Sequence, residues 1–333
     1  MRFRSQRLFV SPGHLAIVLT GLAMLSICSA ITMGQSGATT ELRPGIVIDP
    51  ANNVAYTMTP EGVAAIDLAS GAKRWTSSAA AKPLAITGNR LIAQVEPKTR
   101  TNRLELAVLD TRERGAVAVR STAELPSFVQ VTIGETIEGK FETEANLVAN
   151  NAIVTWRFDR QPLRGIVEEA EVGATNVAEA QRAGAQRSVQ GALQINLTTG
   201  AVSLADANLV ADVSKRRWVV GNENAAVVAP TQYESADERH IVSSERIADD
   251  KTWAKYRWTV FERATNRRIG EFQTHLAFSP FVVRDTTLIY ETTPYIRSGK
   301  AEPAKLRGVN LATGQETWGV EVRELVYRGP FPP

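Results

Sequence analysis

The sequence predicts an all-β chain: a β-propeller of four-stranded antiparallel sheets behind an N-terminal signal or anchor segment. Three observations predict it. Apolar and polar residues alternate in short runs through most of residues 45–333, the period of a strand. One kind of turn recurs where such runs end: an acidic or amide residue, a few small or polar residues, then Gly or Asn. The recurrences at Asp67, Asp110, Asn196, Glu262 and Asn310 lie 43, 86, 66 and 48 residues apart, against roughly 40–50 residues for a propeller blade.

The chain opens with a different signal. Arg2, Arg4 and Arg7 precede an uncharged run from Leu15 to Met33, the basic and apolar regions of a secretory segment. Basic residues favour the cytoplasmic side, so the body is expected to be exported, to the periplasm or an extracytoplasmic membrane surface. The sequence leaves three outcomes open. Cleavage after Ala30 releases the body, and retention of residues 15–33 anchors it. Lipidation at Cys28 is the third: Leu25-Ser26-Ile27-Cys28 resembles a bacterial lipoprotein box, with Ile27 where that pattern has Gly or Ala. The organisation read from the sequence is a signal or anchor over 1–33, a polar linker over 34–44 and a propeller over 45–333.

Within that body the runs pair around their turns. Val63–Ile66 leads to Asp67, Gly71 and Trp75; Leu104–Leu109 leads to Asp110 and Ala116–Val119. Leu193–Ile195 leads to Asn196 and Gly200, and Leu306–Val309 to Asn310, Gly314 and Trp318. A weaker unit runs from Trp258 through Glu262 to Phe272, with Asn266 at the glycine position. Glycine supplies the positive φ of a tight hairpin, and the acidic or amide side chain bonds nearby turn backbone. Trp75 and Trp318 both stand four residues past the glycine, which predicts aromatic plugs between neighbouring units. That makes five recognisable units, with six or more open. Ala, Glu and Arg-rich stretches near 159–189 and 231–250 are expected to be insertions.

Residues 65–75 (AIDLASGAKRW) and 308–318 (GVNLATGQETW), supported by 193–204 (LQINLTTGAVSL), resemble the PQQ-like β-propeller repeat family. Its BamB-like, non-enzymatic branch is the nearer comparison. The resemblance implies an envelope protein whose ring is a docking surface. It implies no quinone cofactor: the vicinal disulfide typical of the quinone enzymes cannot form with Cys28 as the only cysteine.

Composition narrows the chemistry. The 38 basic residues exceed the 35 acidic ones only through Arg2, Arg4 and Arg7, so the body carries no net charge and no nucleic-acid partner is expected. His240 and His275 are the only histidines of the body; no metal-ligand spacing, nucleophile elbow or P-loop occurs, and neither metal nor cofactor is implied. The carboxylates between Glu135 and Glu144 read as a solvated loop and strand edge. Basic clusters at Arg112/Arg114, Lys215/Arg216/Arg217 and Arg263/Arg267/Arg268 read as ordinary solvated turns, the first and third overlapping hairpin turns that one rim of the ring can hold. The expected function is a non-catalytic scaffold for envelope protein partners, with membrane contact through the N-terminal segment. The alternative is a periplasmic small-ligand binder, or a quinoprotein-like enzyme, with an axial site.

Overall fold

A computed structural model describes residues 40–136, 139–160, 188–205, 231–249, 254–297 and 300–323. These residues form five antiparallel meanders. Sheet A holds β1 (Thr40–Arg43), β2 (Ile46–Asp49), β3 (Val54–Thr59), β4 (Gly62–Asp67) and β5 (Lys73–Ser77). Sheet B holds β6 (Lys82–Thr87), β7 (Arg90–Gln94), β8 (Arg103–Asp110) and β9 (Ala116–Glu124). Sheet C holds β10 (Gly134–Thr136), β11 (Gly139–Val148), β12 (Asn151–Arg160), β13 (Ser188–Asn196) and β14 (Val202–Leu204). Sheet D holds β15 (Thr231–Glu234), β16 (His240–Asp249), β17 (Ala254–Glu262) and β18 (Arg267–Thr274). Sheet E pairs β19 (Phe281–Arg284), β20 (Thr287–Thr292), β23 (Lys305–Asn310) and β24 (Gln315–Glu321), with a side hairpin of β21 (Tyr295–Arg297) and β22 (Lys300–Glu302).

Side-chain alternation turns these sheets into a propeller. Strand residues point to opposite faces in turn, and here both faces are apolar in most sheets. In sheet A, Ile46, Ile48, Ala64 and Ile66 pack on Val282, Ile289 and Leu306 of sheet E. The alternate residues Val47, Tyr56, Val63 and Ala65 pack on Leu91, Ala107 and Leu109 of sheet B. Sheet B turns Ile92, Leu106 and Val108 toward Val154, Trp156 and Ile195 of sheet C. Sheet E turns Phe281, Leu288 and Tyr290 toward Trp258, Val260 and Phe272 of sheet D. The first and last sheets of the chain are therefore neighbours, as in a closed ring.

The five units repeat in hydrogen bonds as well as order. In each, the residue after the corner donates its N–H to a carbonyl in the hairpin between the unit's inner strands. The pairs are Leu68 to Asn53 (3.1 Å), Thr111 to Asn89 (2.9 Å), Leu197 to Asn150 (3.1 Å), Arg263 to Arg239 (2.9 Å) and Leu311 to Thr286 (2.8 Å). All inner turns and all corners consequently lie on one end of the ring, the corner face. The β3–β4 and β7–β8 connections and the links between sheets lie on the other.

Two boundaries differ from those the sequence predicts. Residues 40–43, read as linker, form β1, which buries Leu42 completely. Four residues with one aliphatic side chain carry too little pattern to be recognised. Residues 231–249, read as an insertion, form β15 and β16, the inner half of sheet D. Their alternation is hidden because one face of β16 bears Ser243 and Glu245. Of the 159–189 insertion, the ends belong to β12 and β13. Residues 161–187, Lys215/Arg216/Arg217, and the leader with Cys28 lie outside the described residues.

Candidate functional site

The corners are built alike. The Oδ1 of Asp67 accepts the N–H groups of Ala69 (3.0 Å) and Ser70 (2.9 Å). Asn196 Oδ1 does the same for Thr198 and Thr199, and Asn310 Oδ1 for Ala312 and Thr313. Asp110 Oδ1 accepts from Arg112 at 2.8 Å. Glu262, one methylene longer, instead accepts from the Thr265 hydroxyl at 2.6 Å. Arg74 Nη2, 2.6 Å from Asp67, is the main reason that carboxyl falls to about 2. Hydrogen bonds from Asn89 and Thr265 likewise hold Asp110 and Glu262 below the ordinary carboxylate range.

Four of the corners also wedge beneath the sheet before them. Gly71 (φ +70°) lies under Trp318 of sheet E, whose Nε1 donates to Leu68 O at 3.2 Å. Gly115 (φ +78°) lies under Trp75 of sheet A, and Ser77 Oγ donates to Gly115 O at 2.7 Å. Gly200 (φ +74°) lies against Val119 and accepts from Ser121 Oγ at 2.9 Å. Gly314 (φ +68°) lies against the Glu271 carbonyl of sheet D. Asn266 takes the positive φ of the fourth corner, at 53°. Corner backbone is thereby fixed, while Arg112, Arg114, Arg263, Arg267 and Arg268 remain exposed at its tips.

On the corner face, residues of sheets A, D and E enclose a depression of about 1090 Å³. Its lining comes from inner turns at Pro50 and Asn53, Glu238–His240 and Arg284–Asp285, with Glu262 and Arg263 beside them. Behind it lies Asp237, with a side chain only 6% exposed. Asp237 Oδ1 accepts from Ser235 Oγ at 2.6 Å and lies 3.9 Å from His240 Nδ1; Oδ2 lies 3.6 Å from Arg284 Nη1. Burial works to raise the Asp237 carboxyl, but His240, Ser235, the Arg239 N–H and the Arg284 guanidinium together bring it to about 2. Asp237 Oδ2, His240 Nδ1 and Arg284 Nε are buried without a hydrogen bond. His240 and Arg284 also line the depression beside Glu238, Arg239, Glu262 and Arg263, a charged wall suited to a ligand with both donor and acceptor atoms.

A second polar group sits where sheets A, B and C meet. Lys82 Nζ, almost wholly buried, donates to Thr143 O at 2.8 Å, and Thr143 Oγ1 donates to Gln94 Oε1 at 2.6 Å. Burial pushes the lysine down, opposed by Glu41, Glu144 and Glu142. Burial also raises Glu41 to about 7, against the pull of Lys82 and with the repulsion of Glu144. Glu142 and Glu144, read as a solvated strand edge, lie in β11 beyond Gly139–Phe141, the stretch that pairs with β10. Sequence reasoning missed Lys82, Glu41, Asp237 and Arg284 as partners. Only the fold brings them together.

No protein-family model matches the chain, and no curated protein does. Among solved structures it is similar to the apo AtxE2 isopeptidase, at 13% identity and a TM-score of 0.40, covering 82% of this chain and 48% of that one. It spans about half of that protein's length. It is also similar to the Dos1 propeller (11%, TM-score 0.25, 82% and 56% covered) and to Saccharomyces cerevisiae Sqt1 (8%, TM-score 0.30, 86% of each).

Proposed function

We propose that this chain is a non-catalytic cell-envelope protein that uses its propeller as a scaffold for protein–protein interaction, related in architecture to the PQQ-like repeat proteins. The observation that carries this is the corner face, where one set of hydrogen bonds locks the corner backbone and leaves exposed arginines at the tips. Rigid backbone with exposed tips loses little entropy on docking. The basic Arg2–Arg7 segment and the apolar run at 15–33 support the envelope address.

The test is cross-linked capture from membranes with the wild-type chain and with Arg112→Glu/Arg263→Glu/Arg267→Glu. The proposal expects a reproducible envelope partner whose yield falls at least tenfold with the triple variant. The same capture by both chains would overturn the use of this face.

The buried polar atoms of Asp237, His240 and Arg284 favour a second reading, a small-ligand binder at the depression of the corner face. A polar metabolite library screened by thermal shift against wild-type and Asp237→Asn chains separates the two. Stabilisation of the wild type alone would favour the ligand.

A further inference from the structure

The end of the described chain crosses three sheets in succession. Trp318, in β24 of sheet E, donates to Leu68 of sheet A. Val322 N–H bonds Ala304 O at 2.9 Å, still on sheet E. Arg323 N–H then bonds Met58 O of β3 in sheet A, also at 2.9 Å. Its guanidinium reaches sheet B, clasping Glu96 in the β7–β8 connection through two bonds of 2.5 and 2.6 Å. That pairing holds the Glu96 carboxyl below the ordinary range. The chain thus passes from sheet E to sheet A and reaches sheet B, so Arg323, the last described residue, stands at the boundary of sheets A and B.

A cleft of about 820 Å³ opens at that boundary, on the face opposite the corners, and Arg323 is part of its wall. Pro60, Ala79, Val95 and Pro97 give part of its wall an apolar lining, and Lys98, Arg103 and Arg120 line it together with Glu61 and Glu105. The next residues are Glu324-Leu325-Val326-Tyr327-Arg328-Gly329-Pro330-Phe331. With Arg323 and Glu96 paired, the wall keeps three cations against two acids, so a segment that starts with one acid and three apolar residues matches it in charge and in apolar character. Four extended residues reach about 13 Å, enough to cross a cleft of this volume. A tethered segment this short acts at a local concentration in the millimolar range, so even weak contacts would keep it bound.

We propose that the cleft between sheets A and B is the docking site of the chain's own residues 324–331, delivered there by the Arg323–Glu96 clasp, so that the tail excludes peptides from other molecules. This assumes no outside partner, and it stands or falls apart from the scaffold reading.

The test uses the full chain with Cys28→Ser, which leaves no native thiol. Val326→Cys is paired with Lys98→Cys at the cleft or, as control, with Thr198→Cys on the corner face, and disulfide closure is timed under mild oxidation. The cleft pair should close at least tenfold faster. Equal rates, or failure of the cleft pair to close, would overturn the proposal. In a second measurement, a labelled peptide of residues 324–333 is titrated by anisotropy. It should bind a chain ending at Arg323 at least tenfold more tightly than the full chain, and Lys98→Glu/Arg120→Glu should weaken that uptake. Equal binding to both chains, or binding to neither, would refute it.

Discussion

Replacing Trp318 by Ala tests the ring directly, because this side chain joins the last sheet to the first. The indole is 8% exposed and packs among Ile66, Leu68 and Leu306, with Nε1 on the Leu68 carbonyl. A large aromatic truncated in a core costs about 3–5 kcal/mol, more where the surroundings cannot collapse. Here they cannot: the indole lies against Gly71 and Gly308, which have no side chains to move into the void. The upper end, about 4–5 kcal/mol, is therefore expected. Trp75 holds the same repeat position but is only half-buried, over Gly115 and beside Tyr56 at 5.7 Å, so Trp75→Ala should cost about 2 kcal/mol. Urea unfolding followed by far-ultraviolet circular dichroism reads both. With a slope of about 3 kcal/mol per M for a domain of this size, Trp318→Ala should lower the midpoint by more than about 1 M. A shift smaller than that of Trp75→Ala would refute the role given to the A–E contact.

Three further outcomes follow from the same geometry. Gly71→Ala would place a methyl 2.6 Å from Trp318 at positive φ, whereas Gly88→Ala at φ +56° meets nothing within 4 Å. The first should cost more than about 3 kcal/mol and the second only the backbone strain of about 1 kcal/mol, measured in the same urea titration. Asp237, at about 2 in the fold, stabilises above its unfolded value near 3.9, and that contribution is lost as pH falls from about 4 to 2. Asp237→Asn should flatten the acid-unfolding curve in that window. Glu41 has the opposite sign. A carboxyl raised to about 7 holds its proton in the fold but not in the unfolded chain, so stability declines as pH rises from about 4.5 to 7. Glu41→Gln should abolish that decline and leave the protein more stable at pH 8; an unchanged slope would exclude Glu41 as its source.

How much of this the sequence could show depends on how local each signal is. A corner such as Asp67–Gly71 carries its geometry in adjacent residues, with the acceptor side chain and the positive-φ glycine four positions apart. The inner turns are equally regular in space, yet their positive-φ residues are Asn53, Gly88, Ala149, Glu238 and Asp285. Only one is glycine, so no shared pattern marks them. The polar groups were harder still. Lys82 opens an apolar run and looks like a strand's solvated end until β11 and β1 close over it. Asp237 and Arg284 are 47 residues apart and meet only because β15–β16 and β19 end on the same face.

The packing of alternate faces also locates the ring's weak side. Among the described residues, eight faces of the five sheets are buried in four apolar clusters. The remaining two belong to sheets C and D. Among the described residues, sheet C turns Thr155, Arg157, Gln190 and Gln194 away from sheet B, with Ile153 and Val148 beside them, and sheet D turns Ser243, Glu245, Arg257 and Thr259 away from sheet E, with Ile241 and Phe261 beside them. Hydrophobic burial stabilises in proportion to apolar area, so the described residues of these faces contribute less than the A–E contact, although that contact joins the two ends of the described chain. The third and fourth units should then lose structure before the others. In hydrogen exchange under rising urea, amides of β13 and β16 should lose protection before those of β3 and β20. Loss of β3 and β20 first, or one uniform transition, would mean that polar contacts hold the C and D faces as firmly as the apolar clusters hold the rest.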